Sequence, residues 1–255
     1  MSHITHIALA AGLVVGTGSL TTHDAPFFLD HPRDDGRRVT LTERDVEASN
    51  QEVAAAYSAL VSMWSAEFRR IGDRFVAPRI ARYRGTTRSS CGILPASNAM
   101  YCGRNNTIYF DDVFLAAQAK VTGAALGSDG DMAGVGIIAH EMGHAVTAQL
   151  GVRYRRSYDA EAAADCLAGA FAKRAQQDGS LEKGDLEEAF YAMAAAGDPD
   201  LTSTGNARLD ARRAAIVARA SHGTREQRQQ NFRAGFSGGS VACVPELGPE
   251  QTQRR

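Results

Sequence analysis

Hydrophobic positions recur along much of this chain at helical spacing. Val46, Val53, Tyr57, Leu60, Trp64 and Phe68 follow one another at steps that keep them on one face, up to Gly72. This predicts a long helix with one core-facing stripe. Thr40-x-x-Glu43 has the form of a capping box and sets the expected start at Thr40. Further helices are predicted from about Ala133 to Leu150, closed by Gly151, and from Ser157 to about Gln177, closed by Gly179. Asp185-x-x-Glu188 reads as the N-terminal cap of another helix, ending at Gly197 before Pro199, and Thr224-x-x-Gln227 starts a last short one. Strand signals are fewer. Residues 74–84 alternate loosely around Pro78, and Thr107–Phe110 is a short β-prone run, after which Asp111-Asp112 caps a helix. Residues 85–106, rich in Gly, Ser and Asn, read as a loop, 123–134 as a Gly-rich break without a phosphate-loop motif, and the tail after Ser237 as irregular. The expected fold class is α+β, mostly helical, with a small sheet.

Composition adds bounds. With 255 residues, 44% hydrophobic and 22% charged, the chain has the usage of a globular protein able to bury a sizeable core. A formal net charge of -1 gives no electrostatic reason to expect a nucleic-acid partner. Ile7–Gly16 is apolar and uncharged, shorter than the ~20 residues of a membrane-spanning helix. Residues 1–22 therefore read as a signal peptide or N-terminal anchor, the latter bringing membrane association, although the head MSHITH lacks Lys and Arg. Residues 23–39 read as a linker, 40–245 as the functional domain and 246–255 as a disordered tail. The four cysteines contain no C-x-x-C pair and allow three pairings. Cys91 and Cys102 flank a Gly- and Pro-containing loop of the kind a disulfide closes. An oxidising compartment agrees with the signal-like start, so a secreted or extracytoplasmic location, free or membrane-anchored, is expected.

The segment Ile137-Ile138-Ala139-His140-Glu141-Met142-Gly143-His144-Ala145-Val146 carries the chemistry. Helical residues four apart lie about 40° apart and about 6 Å along the axis, so His140 and His144 can share one tetrahedral metal ion. Glu141, about 100° round from His140, sits beside such an ion and suits a base for water. By composition, H-E-x-x-H arises by chance about 0.01 times in such a chain. Apolar neighbours on all sides make two imidazoles and a carboxylate costly unless a ligand satisfies them.

Catalytic zinc takes three protein ligands plus water. Glu161-Ala-Ala-Ala-Asp165 places two carboxylates on one face of the next helix, among small residues that allow close helix approach. Glu161 is the expected third ligand, with Asp159 as competitor. Asp165 is expected to orient a ligand imidazole. Cys166 lies about 140° round from Glu161 and points away.

The order HEMGH, then Glu-x-x-x-Asp, resembles the Glu-type zincins, whose fold is shared with thermolysin. More narrowly, the chain resembles the family of neutral zinc metallopeptidases. The resemblance is carried by Cys91-Gly92, Tyr101-Cys102, Ile108-Tyr109-Phe110-Asp111, IIAHEMGHAV and Glu161-AAADCLAG. It continues through Gly184–Ala189, Ser221-His222-Gly223-Thr224 and Arg233-Ala234-Gly235-Phe236. It implies a zincin-like domain with two antiparallel metal-binding helices, Zn²⁺ on His140, His144 and Glu161, and Glu141 as catalytic base acting on peptide or protein substrates. It also supports Cys91–Cys102 and Cys166–Cys243 as the disulfides. His222, in a loop before the cap at Thr224, is the candidate donor to a developing oxyanion, with loop packing as its other reading. Tyr154 and Tyr158 are weaker candidates. The strand at 107–110 is a candidate cleft edge for an extended peptide. The alternative function is a catalytically inactive zincin-like interaction module.

Overall fold

The computed structural model describes residues 27–29, 39–197, 204–220 and 222–248. The expected signal or anchor at 1–22 lies outside them.

Helix α1 (Glu43–Arg70) buries the stripe expected of it, with Leu60, Trp64 and Phe68 almost fully enclosed. Its capping box is Thr42 and Asp45, not Thr40 and Glu43. The Thr42 hydroxyl accepts from Asp45 N at 3.3 Å, and the Asp45 carboxylate accepts from Thr42 N at 2.7 Å. Thr40 is committed elsewhere, to strand β2 (Val39–Leu41), which pairs antiparallel with β1 (Phe27–Leu29). Val39 and Leu41 alternate inward with Thr40 outward, so the segment expected to be a linker supplies a short ribbon instead.

A three-stranded mixed sheet follows. β3 (Arg79–Tyr83) runs parallel to β7 (Thr107–Asp111), and β6 (Ala99–Cys102) runs antiparallel to β7 on its other side. β4 (Thr87–Ser89) and β5 (Gly92–Leu94) form a separate hairpin. The region expected to be a loop at 85–106 thus holds three short strands. The Cys91–Cys102 disulfide ties the hairpin to the sheet, so that short, glycine-rich segments can pair. β7 is the middle strand, so the run at 107–110 is not a cleft edge; that position belongs to β6.

Asp111 caps α2 (Asp112–Leu126) by accepting from Val113 N at 3.2 Å. The remaining helices are α3 (Met132–Gln149), α4 (Ser157–Gln177), α5 (Asp185–Ala195), α6 (Ala207–Ala220), α7 (Arg225–Gly238) and the short α8 (Ser240–Cys243). α3 is apolar on nearly every side and runs through the centre, packed by α1, α2, α4 and α5. α6 was not anticipated. Among its described side chains Leu209 is exposed.

The Asp185 carboxylate accepts from Glu182 N at 2.7 Å, whereas Glu188 does not cap its own helix. It accepts from Gly130 N and Met132 N at 3.1 Å each, closing the N-terminus of α3. The region after Ser237 is ordered further than expected. α8 and a 3-10 turn at Pro245–Leu247 follow, pinned by the Cys166–Cys243 disulfide and by complete burial of Leu247. Residues 246–248 therefore belong to the fold, and 249–255 lie outside the described residues.

Candidate metal centre

Two helices meet at Gly143. A Cβ there would lie 2.9 Å from Ala164 Cα and 3.0 Å from Ala164 O, so only glycine allows α3 and α4 this close. That approach brings the faces bearing His140 and His144, and Glu161 and Asp165, into register. His140 Nε2 lies 3.1 Å from Glu161 Oε2, and His144 Nε2 lies 3.5 Å from Glu161 Oε1. Ligand atoms of the three residues all fall within 4.8 Å of one another. Two imidazole nitrogens and a carboxylate oxygen converging on one point are a donor set that zinc accepts. Asp159, the competing ligand, is held away by Arg156, whose Nε donates to it at 3.0 Å.

Asp165 is fully buried, and its Oδ1 lies 2.8 Å from His140 Nδ1. In the neutral ring with that nitrogen donating to the carboxylate, Nε2 turns its lone pair toward Glu161 and His144. Sequence reasoning missed the group on the other side of Asp165. Arg228, only 4% exposed, donates from Nε at 3.0 Å to Oδ2 and from Nη2 at 2.5 Å to Oδ1. Its Nη1 donates to Ala196 O at 2.8 Å, tying in the end of α5. Arg228 Nη2 also lies 3.2 Å from His140 Nδ1 across the shared carboxylate. The signal for Arg228 was present as an exception. It occupies the first position of an inward series on α7, followed by Phe232 and Gly235, where an arginine needs a partner. α7 gains that depth because Gly235 lies against α4: a Cβ on it would come within 1.7 Å of Cys166 O.

The electrostatics follow from this packing. Burial opposes charge on His140, but hydrogen bonds to Asp165 and Glu161 outweigh it and raise its pKa to about 9. Burial pushes His144 down, and the neighbouring His140 adds to that. Burial would raise Glu161, yet the His140 hydrogen bond and the nearby imidazoles lower it to about 2. Asp165 is likewise held below the usual carboxylate range: burial is outweighed by His140 and Arg228.

A cavity of about 740 Å³ opens over these groups. Its walls include edge strand β6, Phe114 of α2 and Met193 of α5. Glu141 also faces it, and its Oε2 accepts from Tyr101 N of β6 at 2.7 Å. That bond fixes the carboxylate from the sheet edge, a contact no spacing rule foretold. His222 lines the same cavity and is exposed. Tyr154 and Tyr158 do not line it; burial, with Glu246 and Asp159 nearby, pushes the Tyr154 phenol up to about 12. Cys91–Cys102 and Cys166–Cys243 are both bonded, and the second bridge sits one residue beyond Asp165.

A sequence profile of the family described as "putative neutral zinc metallopeptidase" matches residues 30–245. The chain belongs to this family. The relatives it resembles include the Escherichia coli (strain K12) protein named "Uncharacterized protein YpfJ". The two are 33% identical over 214 residues, covering 76% of this chain and 71% of the relative. Another is "Uncharacterized protein Rv2575" of Mycobacterium tuberculosis, 29% identical over 188 residues, covering 65% of this chain and 60% of that protein. No solved structure matches the chain. The matched residues 30–245 include the whole of α3 and α4.

Proposed function

We propose that the protein is a zinc-dependent peptidase acting on peptide or protein substrates, with His140, His144 and Glu161 holding the metal. The observation that carries this reading is the convergence of those three ligands beside a carboxylate, Glu141, that takes no part in the cluster. A purely structural zinc site has no use for such a base. When bound, zinc supplies Lewis acidity that makes water a nucleophile near neutral pH and polarises a carbonyl. Asp165 holds the His140 ring in one tautomer, and Arg228 holds Asp165. Glu141, steadied by Tyr101 N, takes the proton from the attacking water and delivers it to the leaving amine. His222, at the cavity mouth, donates to the oxygen on which charge develops. β6 is an edge strand lining the cavity, where an extended backbone can lie beside the apolar wall of Phe114 and Met193. Two disulfides support a site of action outside the reducing cytoplasm, reached through the apolar run at 7–16. No helix among the described residues is long and apolar enough to cross a membrane.

The test pairs metal analysis with cleavage of unfolded casein. The wild-type protein is expected to bind one zinc and to lose cleavage with a chelator. Glu141→Gln is expected to keep zinc and lose cleavage. Zinc retention with no cleavage in the wild type would favour the non-catalytic interaction module instead.

A further inference from the structure

Helix α7 begins beside the metal centre, and separate contacts fix where it begins. Thr224 N donates to Gln227 Oε1 at 2.9 Å, and Gln227 N donates to Thr224 Oγ1 at 3.3 Å, closing a capping box. Gly197, just after α5, lies so near this first turn that a Cβ on it would come 2.8 Å from Arg225 N. One turn further along, Arg228 Nη1 donates to Ala196 O. These contacts hold the helix. His222 stands ahead of the cap, exposed at the cavity, and none of these contacts reaches back to it.

The residue between His222 and the cap is Gly223. Its φ of 95° lies in the left-handed region that favours glycine. A Cβ on it would lie 2.7 Å from Tyr158 Cε2 and 3.2 Å from Tyr158 Cδ2. Position 223 therefore calls for glycine on two grounds: the turn of the backbone, and the approach of the loop to one edge of the Tyr158 ring. Tyr158 is half-buried in the first turn of α4. It precedes Glu161 by three residues, so ring and carboxylate project from the same side of that helix. Tyr158 does not line the cavity, so it can act on a bound peptide only through the residues resting on it.

We propose that Tyr158 is the positioning residue for His222. Its ring is the seat on which Gly223 rests, and the seat sets where the His222 side chain stands over the metal ligands. This rests on the reading of His222 as donor to the developing oxyanion. The ligands come from α3 and α4, whereas His222 comes from the connection into α7. A displacement of about 1 Å in such a group costs about 10²-fold in rate, so the connection needs a reference point. A ring on the helix that carries Glu161 measures the position of His222 from a metal ligand itself. The ring carbons make the seat, and the hydroxyl takes no part in it.

The experiment uses the full chain, loaded with zinc, as wild type, Tyr158→Phe, Tyr158→Leu, His222→Ala and the Tyr158→Leu, His222→Ala double variant. In protein labelled with ¹³C-glycine, the Gly223 Hα resonances are expected to carry a ring-current displacement. Tyr158→Phe should keep that displacement and Tyr158→Leu should lose it. Resonances indifferent to Tyr158→Leu would overturn the seat, whether or not the protein cleaves a peptide. On a casein-derived peptide, Tyr158→Leu is expected to lower kcat by about 10²-fold with KM unchanged, and Tyr158→Phe to restore it. His222→Ala should lower kcat by about 10²–10³-fold, and the double variant should fall no further, because Tyr158 acts only through His222. Multiplying losses in the double variant, or loss of zinc from Tyr158→Leu, would overturn the positioning role. Unchanged kcat in His222→Ala would overturn the donor reading and the positioning role with it, whereas a seat disproved by the resonances leaves the donor reading standing.

Discussion

The cavity at the metal centre and a groove between α1 and α4 have nearly the same volume, about 740 and 730 Å³, and both expose carboxylates, yet their electrostatics run in opposite directions. At the metal centre Glu161 and Asp165 are pushed down because imidazoles and Arg228 face them. In the α1/α4 groove Asp131 is pushed up, because burial and other carboxylates surround it. Cavity size says little about function here. What separates the two is whether each buried charge meets an opposite one, since desolvation costs both sites and only pairing offsets it. The first site is built from groups matched within the described fold. In the second, no Lys or Arg among the described residues pairs with Glu52, Asp131, Glu182 or Asp185.

The largest expected effect tests whether the matched site does chemistry. Glu141→Gln keeps shape and ligands but removes the proton acceptor, and kcat on a casein-derived peptide should fall by about 10²–10⁴-fold. Zinc content measured on the same sample should remain at the wild-type level.

Next in size is the pairing itself. Arg228→Met leaves Asp165 fully buried with one partner fewer, and denaturant unfolding should show a loss of about 3–5 kcal/mol. Arg228→Lys should recover only part of this, because a single ammonium cannot reproduce the fork onto Asp165 and Ala196 O. Zinc affinity should weaken in both variants, since His140 loses the group that fixes its carboxylate.

A smaller effect is expected from the bridge that fastens α8 behind the metal helices. Replacing Cys166 and Cys243 with alanine should cost about 2–4 kcal/mol, because the bridge closes a loop with a sequence separation of 77. Calorimetry of the oxidised wild type against the double variant measures it.

The smallest effect concerns the unmatched groove. The folded protein holds the Asp131 proton more tightly than the unfolded chain does. Its contribution is therefore intact below pH ~4 and lost as pH rises through about 7. The group is half exposed, so the change should be only about 1 kcal/mol. Asp131→Asn should flatten that slope in unfolding experiments between pH 4 and 8. Were the slope unchanged, the contrast between the two cavities would not rest on Asp131.

Much of this was open to reading along the chain. The α1 stripe, the helix bearing HEMGH and the helix bearing Glu161 and Asp165 have periodicity strong enough to fix type and extent, and α4 has the expected bounds at Ser157 and Gln177. The misplaced features are short or externally stabilised. Thr40 and Thr42 offer equivalent caps until strand β2 claims the first. β4, β5 and β6 are 3 to 4 residues long and depend on a disulfide and a neighbouring strand.

By itself the sequence determined which candidate ligands share a face, because i,i+4 spacing on a helix sets the relative positions of His140 and His144, and of Glu161 and Asp165, before any tertiary contact exists. It also named Glu141 by its offset from that face. Only the tertiary structure decided that Glu161 rather than Asp159 turns inward, that Tyr101 N holds Glu141, and that Arg228, far along the chain, closes the relay to His140. Those contacts join separate elements, and their distances depend on helix approach at Gly143 and Gly235 and on which sheet edge is left free. Local spacing carries no information about either, because both are fixed by packing across the core.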